Sequence, residues 1–230
     1  NIFLKGVARH EEYIDSGRAI SFDDAKKILN DFQFIKDMNA NFLRTAHYPN
    51  HPFTYILADR VGIAIMEEIP VMWFDGPEFN LQREVRGIAR QMWLEMIYRD
   101  FNRASIFFWS TCNECGWQDE RREFIWDLKS VAYKVDGTRL VGQSAVGSDT
   151  RDGTQKDCDY YGATMYYGVF YGASAYKSTR NALNDVAHYY CKKPIIATEY
   201  GIWSHKDLSN AQRQIQIATN TYKAFREFPQ

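Results

Sequence analysis

The sequence contains no apolar run that approaches the roughly 20 residues needed to cross a membrane. It also lacks a marked excess of either charge, because 28 Lys and Arg residues are balanced by 29 Asp and Glu residues, for a net charge of −1. Proteins that bind nucleic acid or anionic membranes through electrostatics usually carry a basic surface. The composition therefore gives no case for nucleic acid or a membrane as a partner.

Cysteine is scarce, with four residues in 230. Cys112 and Cys115 form a C-x-x-C pair, but a zinc site needs a second pair of ligands at a suitable spacing, and Cys158 and Cys191 stand alone. We therefore expect reduced, partly buried thiols, with no metal and no other cofactor.

Apolar residues are plentiful at 45%, and aromatic residues reach 16%, which is enough for a large core. The aromatic side chains either fill that core or stack on the apolar faces of sugar rings. No signal peptide is visible, but the chain opens directly on a strand-like segment. We therefore expect it to be a piece of a longer protein, and its localisation stays open.

Hydrophobic patterning predicts an alternation of strands and helices along the whole chain. The predicted strands span residues 1–10, 41–47, 62–70, 105–114, 139–145, 160–167 and 194–200. The predicted helices span residues 21–38, 53–61, 81–100, 120–135, 174–190 and 209–228.

This alternation favours an α/β fold with a parallel sheet and helical crossovers. A doubly wound sheet could also take seven strands, but no glycine-rich phosphate turn follows the first strand. Polar residues instead follow at least five of the strands, which is typical of the active face of a (β/α)8 TIM barrel. We predict such a barrel, with seven of its eight strands in this chain.

Two of the predicted strands carry a glutamate at or next to their carboxyl ends, Glu114 and Glu199. A carboxylate at the end of a buried strand is costly unless it is hydrogen-bonded or useful. Two carboxyl groups can hydrolyse a glycosidic bond if one is protonated and the other ionised. Glu114 lies between Cys112 and Trp117 in an apolar setting, which favours the acid. Arg44 near Glu199 would keep that carboxylate ionised and favours the nucleophile.

The alternative interpretation makes both glutamates strand-end caps or ion-pair partners. The accompanying polar residues Arg44, His47 and Tyr166 favour a catalytic pair instead.

Several motifs resemble the catalytic barrel domain of glycoside hydrolase family 2, the β-galactosidase and β-glucuronidase family. They occur in family order over nearly the whole chain. The matching stretches begin with Phe3-Leu-Lys-Gly-Val-Ala-Arg-His and Asn41-Phe-Leu-Arg-Thr-Ala-His-Tyr-Pro, and continue with Glu67-Glu-Ile-Pro, Trp109-Ser-Thr-Cys-Asn-Glu and Thr198-Glu-Tyr-Gly.

The resemblance implies a retaining exo-β-glycosidase with Glu114 as general acid/base and Glu199 as nucleophile. It implies that Asn113 binds the sugar 2-hydroxyl and that Tyr166 donates to the nucleophile. The other residues matched to substrate binding are Arg44 and His47, on the floor of the first subsite. Trp203 is either an aromatic wall or plain packing, and His10 matches a histidine that is more often structural.

The sugar is left open by departures from both family patterns. Met72 to Phe74 occupy places where many β-galactosidases carry an acidic residue and a histidine. Thr164 occupies a place where many β-glucuronidases carry an asparagine. The sequence around His47 and Tyr166 is nonetheless close to the galactosidase pattern.

We expect residues 1–230 to form one catalytic barrel domain, with flanking β-sandwich domains and the eighth strand outside this chain. A carbohydrate substrate and a homo-oligomer formed through other parts of the parent protein are consistent with the resemblance. Two other classes of barrel are possible. A non-catalytic carbohydrate-binding barrel would be favoured by a lost nucleophile, but both glutamates are present. A sugar-phosphate isomerase or aldolase would need a Schiff-base lysine or a phosphate loop, and neither is visible.

Overall fold

A computed structural model of the chain describes residues 2–18, 21–205 and 207–228. Its principal strands are β1 (Gly6–Arg9), β2 (Phe42–Thr45), β3 (Ala64–Glu68), β4 (Ile106–Asn113), β5 (Leu140–Ser144), β6 (Tyr161–Thr164) and β7 (Ile195–Glu199). Its α-helices are α1 (Phe22–Asp37), α2 (Pro52–Val61), α3 (Gly76–Asn80), α4 (Ile88–Asp100), α5 (Gln118–Val135), α6 (Ala175–Tyr189) and α7 (Ala211–Arg226).

The strands run parallel in chain order. Strands β1 to β5 form one sheet and β6 and β7 form a second, and a parallel bridge between Ala145 and Ala163 links β5 to β6. The predicted barrel of seven parallel strands is therefore confirmed. No helix within the described ranges is both long and apolar enough to span a membrane.

Side chains alternate between the barrel interior and the surrounding helices, as the period of two along a strand requires. Phe42, Met66 and Phe108 face one another inside the barrel and pack there with Tyr160. Their neighbours in sequence, among them Trp109, belong to the larger core between the strands and the helices. One layer further along, the same period places Arg44 and Glu68 inside the barrel.

The segment predicted as one helix over residues 81–100 differs from the prediction. The chain first forms α3, continues as a π-helical turn over Leu81–Arg86, and only then enters α4. Gly87 separates the last two elements with φ = 63°, a left-handed conformation that glycine adopts without steric cost. A small antiparallel hairpin, Glu12–Tyr13 with Gly17–Arg18, and a 3₁₀ turn over Gly153–Lys156 were also not predicted.

Strands β1 and β7 lie at the two ends of the series. No ladder of hydrogen bonds joins them within the part of the chain that the structure describes. A cleft of about 1480 Å³ opens between them and α7, lined by apolar residues such as Leu4, Ile196 and Tyr222. The cleft continues to the carboxyl ends of the strands, where Glu199 lies.

Candidate active site

Glu114 follows directly on β4, the longest strand, and the chain turns out of the sheet at this residue. Its φ of 49° is in the left-handed region, and its backbone N–H donates to Ser144 O at 2.7 Å. The two carboxylate oxygens accept from different neighbours. Oε1 accepts from the hydroxyl of Thr164 at 2.8 Å, and Oε2 accepts from the indole N–H of Trp73 at 3.3 Å. Both donors are uncharged.

Glu199 ends β7, and its carboxylate accepts shorter hydrogen bonds than that of Glu114, one of them from a charged donor. Its Oε1 accepts from Arg44 Nη1 at 2.7 Å, and its Oε2 accepts from the hydroxyl of Tyr166 at 2.6 Å. Nε2 of His47 lies 3.4 Å from Oε1. A guanidinium and a phenol hydroxyl therefore hold this carboxylate at both of its oxygens. The difference between the two glutamates therefore lies in the charge of their partners.

Arg44 lies almost fully buried at the floor of the site, where it links three side chains by donating a hydrogen bond to each. Besides Glu199, it donates through Nη2 to Glu68 at 2.8 Å and to the amide oxygen of Asn113 at 2.7 Å. Burial lowers the pKa of Arg44, but the charges of Glu68 and Glu199 raise it above its ordinary value. The guanidinium therefore stays charged and holds both carboxylates in place.

The two acidic residues at the end of β3 have opposite environments. Glu68 points inside the barrel, and although burial raises its pKa, Arg44 and His47 lower it below its ordinary value. Glu67 points toward the helices, where burial and the nearby Asp100 raise its pKa well above its ordinary value. Only Glu68 belongs to the site.

Asn113 is buried beside Glu114, and the hydrogen bond from Arg44 fixes the orientation of its amide. Because the amide oxygen is taken, the other end of the side chain is an N–H donor. Tyr166 is also fixed as a donor, since burial and its bond to Glu199 raise its pKa far above the ordinary range. The N–H group of Asn113 can donate to a hydroxyl group of a substrate, whereas the single O–H of Tyr166 is already donated to Glu199.

Trp203 lies on the side of Glu199, with 55% of its surface exposed. Its ring stacks on Phe170 with centroids 6.0 Å apart, and Phe170 meets Tyr166 edge to face at 5.3 Å. The exposed ring is consistent with an aromatic wall, and the role of Trp203 remains a prediction. His10 contacts the ring of His47 at 5.0 Å, and burial together with His47 lowers its pKa.

The structure thus brings together all seven residues that the sequence singled out as candidates: Arg44, His47, Asn113, Glu114, Tyr166, Glu199 and Trp203. Two contacts of Glu114 were not foreseen, those with Thr164 and Trp73. Thr164 ends β6, and the carboxyl end of a barrel strand is where active-site residues lie. Its position in the sequence could therefore have indicated a contact with the site. Trp73 lies in a loop, where no comparable pattern indicates which residues face the site.

No group of three or more His, Cys, Asp or Glu side chains suited to a metal occurs among residues 2–18, 21–205 and 207–228. Cys112, Cys115 and Cys158 are buried free thiols, whereas Cys191 is exposed. The prediction of partly buried thiols therefore holds for the first three, and Cys191 departs from it because it follows α6 at the surface.

A parallel barrel with two glutamates at the carboxyl ends of its strands is one arrangement that glycosidases use. The family described as "Glycosyl hydrolases family 2, TIM barrel domain" matches residues 1–225, and the chain belongs to this family.

Named relatives include proteins of both types suggested by the motifs. A β-galactosidase from Alteromonas mediterranea is 38% identical over 152 residues, which are 65% of this chain and 14% of that protein. A β-glucuronidase from Streptococcus agalactiae is 28% identical over 222 residues, covering 87% of this chain and 36% of that protein.

The fold is also that of solved family members. The β-glucuronidase from Ruminococcus gnavus, solved with a C6-substituted uronic isofagomine, matches with a TM-score of 0.87 at 24% identity. The match covers 99% of this chain and 41% of that one. This chain spans less than half the length of each of these three proteins.

Proposed function

We propose that this chain supplies the catalytic barrel of a retaining exo-β-glycosidase, which removes terminal β-linked sugars by double displacement. The observation that carries the proposal is the contrast between the two glutamates. Glu199 is bound by a buried arginine and a tyrosine, whereas the donors to Glu114 among the described residues are uncharged. Such a difference in environment is what separates a nucleophile from an acid.

In the first step, a carboxylate oxygen of Glu199 attacks the anomeric carbon of the bound sugar. The bond from that carbon to the leaving oxygen breaks, and Glu114 donates its proton to this oxygen. The sugar is then bonded to Glu199 as an ester, and Glu114 is ionised. Because Arg44 and Tyr166 already hold Glu199 in place, little reorganisation is needed for the attack.

In the second step, Glu114 takes a proton from a water molecule, and the water oxygen attacks the anomeric carbon from the side that the leaving group vacated. The ester bond breaks, and Glu199 is released as a carboxylate beside Arg44. The two inversions restore the β configuration, and both residues return to their starting protonation states.

The substrate class proposed is a β-galactoside or a β-glucuronide. Relatives of both kinds support this substrate class. The pair Met165-Tyr166, which is close to the galactosidase pattern, supports a β-galactoside. Asn113 would bind the sugar 2-hydroxyl through its N–H group. Arg44 and His47 would line the floor of the site beneath the sugar. Trp203 would cover one face of the ring.

The barrel is proposed to be completed by an eighth strand, with flanking β-sandwich domains and any oligomer contacts supplied by other parts of the parent protein. The apolar cleft between β1 and β7 supports this arrangement, because unpaired edges of a barrel sheet must be paired or covered. The experiments below therefore use the full-length parent protein.

Proton NMR of the first-formed sugar tests the proposed mechanism. We expect hydrolysis of an aryl β-glycoside to release the β-anomer first, with the α-anomer rising only as the sugar mutarotates. The physical reason is the two successive inversions through Glu199. An initial α-anomer would rule out double displacement and would indicate direct attack by water.

A further inference from the structure

Trp73 is a large exposed aromatic residue placed against the proposed acid. It lies in the loop after β3, and 73% of its surface is exposed. Its indole N–H is 3.3 Å from Glu114 Oε2, and its backbone N–H donates to Asn113 O at 3.0 Å. One edge of the ring is thus tied to the catalytic residue, while most of the ring is open to solvent.

The backbone around Trp73 is held in an uncommon conformation. Its φ of 57° is in the left-handed region, which is costly for a bulky residue unless the surroundings enforce it. Flanking contacts do so: the N–H of Phe74 donates to Cys115 Sγ at 3.3 Å, and the N–H of Gly116 donates to Phe74 O at 3.0 Å. The ring position is therefore built into the loops after β3 and β4.

The partners of the two glutamates define the sides of the site. Glu199 and its donor Tyr166 lie on the side where the sugar is attacked. The aromatic rings of Phe170 and Trp203 continue this side of the site. The acid must lie beside the oxygen that joins the sugar to the leaving group. The group beyond that oxygen therefore lies next to Glu114, and the exposed indole of Trp73 is the adjoining surface.

We propose that Trp73 forms a leaving-group subsite, on which a flat apolar face stacks, either an aromatic ring or the C–H face of a second sugar. The same indole is a positioning residue for Glu114, because its N–H fixes the Oε2 atom. Aromatic stacking is favourable enough to change a preference between two acceptors by about tenfold. The inference rests on the proposed function, because it needs a glycosyl group on Glu199.

Competition between acceptors isolates this subsite, because the sugar is already bound to Glu199 when the acceptor enters. The full-length protein is supplied with 4-nitrophenyl β-galactoside and β-glucuronide, in the presence of equal concentrations of 2-phenylethanol and ethanol. Both alcohols attack the same ester with similar hydroxyl groups. The ratio of phenylethyl to ethyl glycoside therefore reports stacking alone.

The unmodified protein should favour 2-phenylethanol by about tenfold. Trp73→Ala should reduce the ratio toward one, whereas Trp73→Phe, which keeps a ring but loses the N–H, should retain most of it. Trp126→Ala is the matched control, because Trp126 is 69% exposed on the outer helix α5, and it should leave the ratio unchanged.

Several outcomes would overturn the proposal. A ratio near one for the unmodified protein excludes an apolar subsite, whether or not any variant folds. A high ratio that survives in Trp73→Ala places the subsite elsewhere. Release of no nitrophenol from either donor by the unmodified protein would instead refute the proposed glycosidase function, so the two failures are distinguishable.

Discussion

Replacing Glu199 by alanine should reduce turnover of the full-length protein by about four to six orders of magnitude, for every β-glycoside that it accepts. The reason is that no other group at the end of β7 can form the covalent ester. The leaving group should make no difference, because a better leaving group still needs a nucleophile. Rates with aryl glycosides of increasing leaving-group acidity measure this directly.

Glu123→Ala provides a matched control for the loss of a carboxylate. Glu123 lies on α5 with 64% of its side chain exposed, and its ion pair with Arg83 is at the surface, where such pairs contribute little. This variant should keep normal turnover. A Glu199→Ala protein that is folded and retains a tenth of normal activity would contradict the assignment of the nucleophile.

Replacing Glu114 by alanine should have a different effect, which depends on the leaving group. An aryl glycoside with a very acidic phenol needs little protonation, so the ester on Glu199 should still form. Its hydrolysis should be slow, because water lacks the general base that Glu114 provides. Azide needs no deprotonation, so it should restore turnover and give a β-glycosyl azide, which NMR identifies.

The stereochemistry of the azide product separates the two assignments. If azide instead gave a β-azide with Glu199→Ala and an α-azide with Glu114→Ala, the roles of the two glutamates would be reversed, because azide in place of the nucleophile inverts the anomeric carbon only once. Azide should have no effect on Glu123→Ala. Normal activity in both Glu114→Ala and Glu199→Ala would show that neither glutamate takes part in catalysis, whereas no turnover by the unmodified protein would favour a carbohydrate-binding barrel without catalysis.

Much of the site could be predicted because it depends on where strands end. A buried parallel strand is recognisable as an apolar run, and the polar residue that follows it lies at the carboxyl face of the barrel. Glu114, Glu199 and Arg44 were found in this way. The period of two along β3 also explains why Glu68 enters the site and Glu67 does not, although both end the same strand.

The parts that could not be predicted depend on contacts between loops. The position of Trp73 is determined by its hydrogen bond to Asn113, by the hydrogen bond of its neighbour Phe74 to Cys115, and by a left-handed φ that a tryptophan rarely adopts. Both partners are distant in sequence. The interruption of the helix before α4 depends on Gly87 and a π-helical turn. Hydrophobic periodicity continues across this interruption, so it predicts a single helix there.

The proposed function requires that a sugar becomes covalently bonded to Glu199. An aryl β-glycoside with fluorine at carbon 2 tests it most directly, because the fluorine slows hydrolysis of the ester and lets it accumulate. We predict that mass spectrometry of the digested protein finds one sugar, on the peptide that contains Glu199. A sugar on Glu114, or a protein that releases the phenol without becoming labelled, would contradict the account.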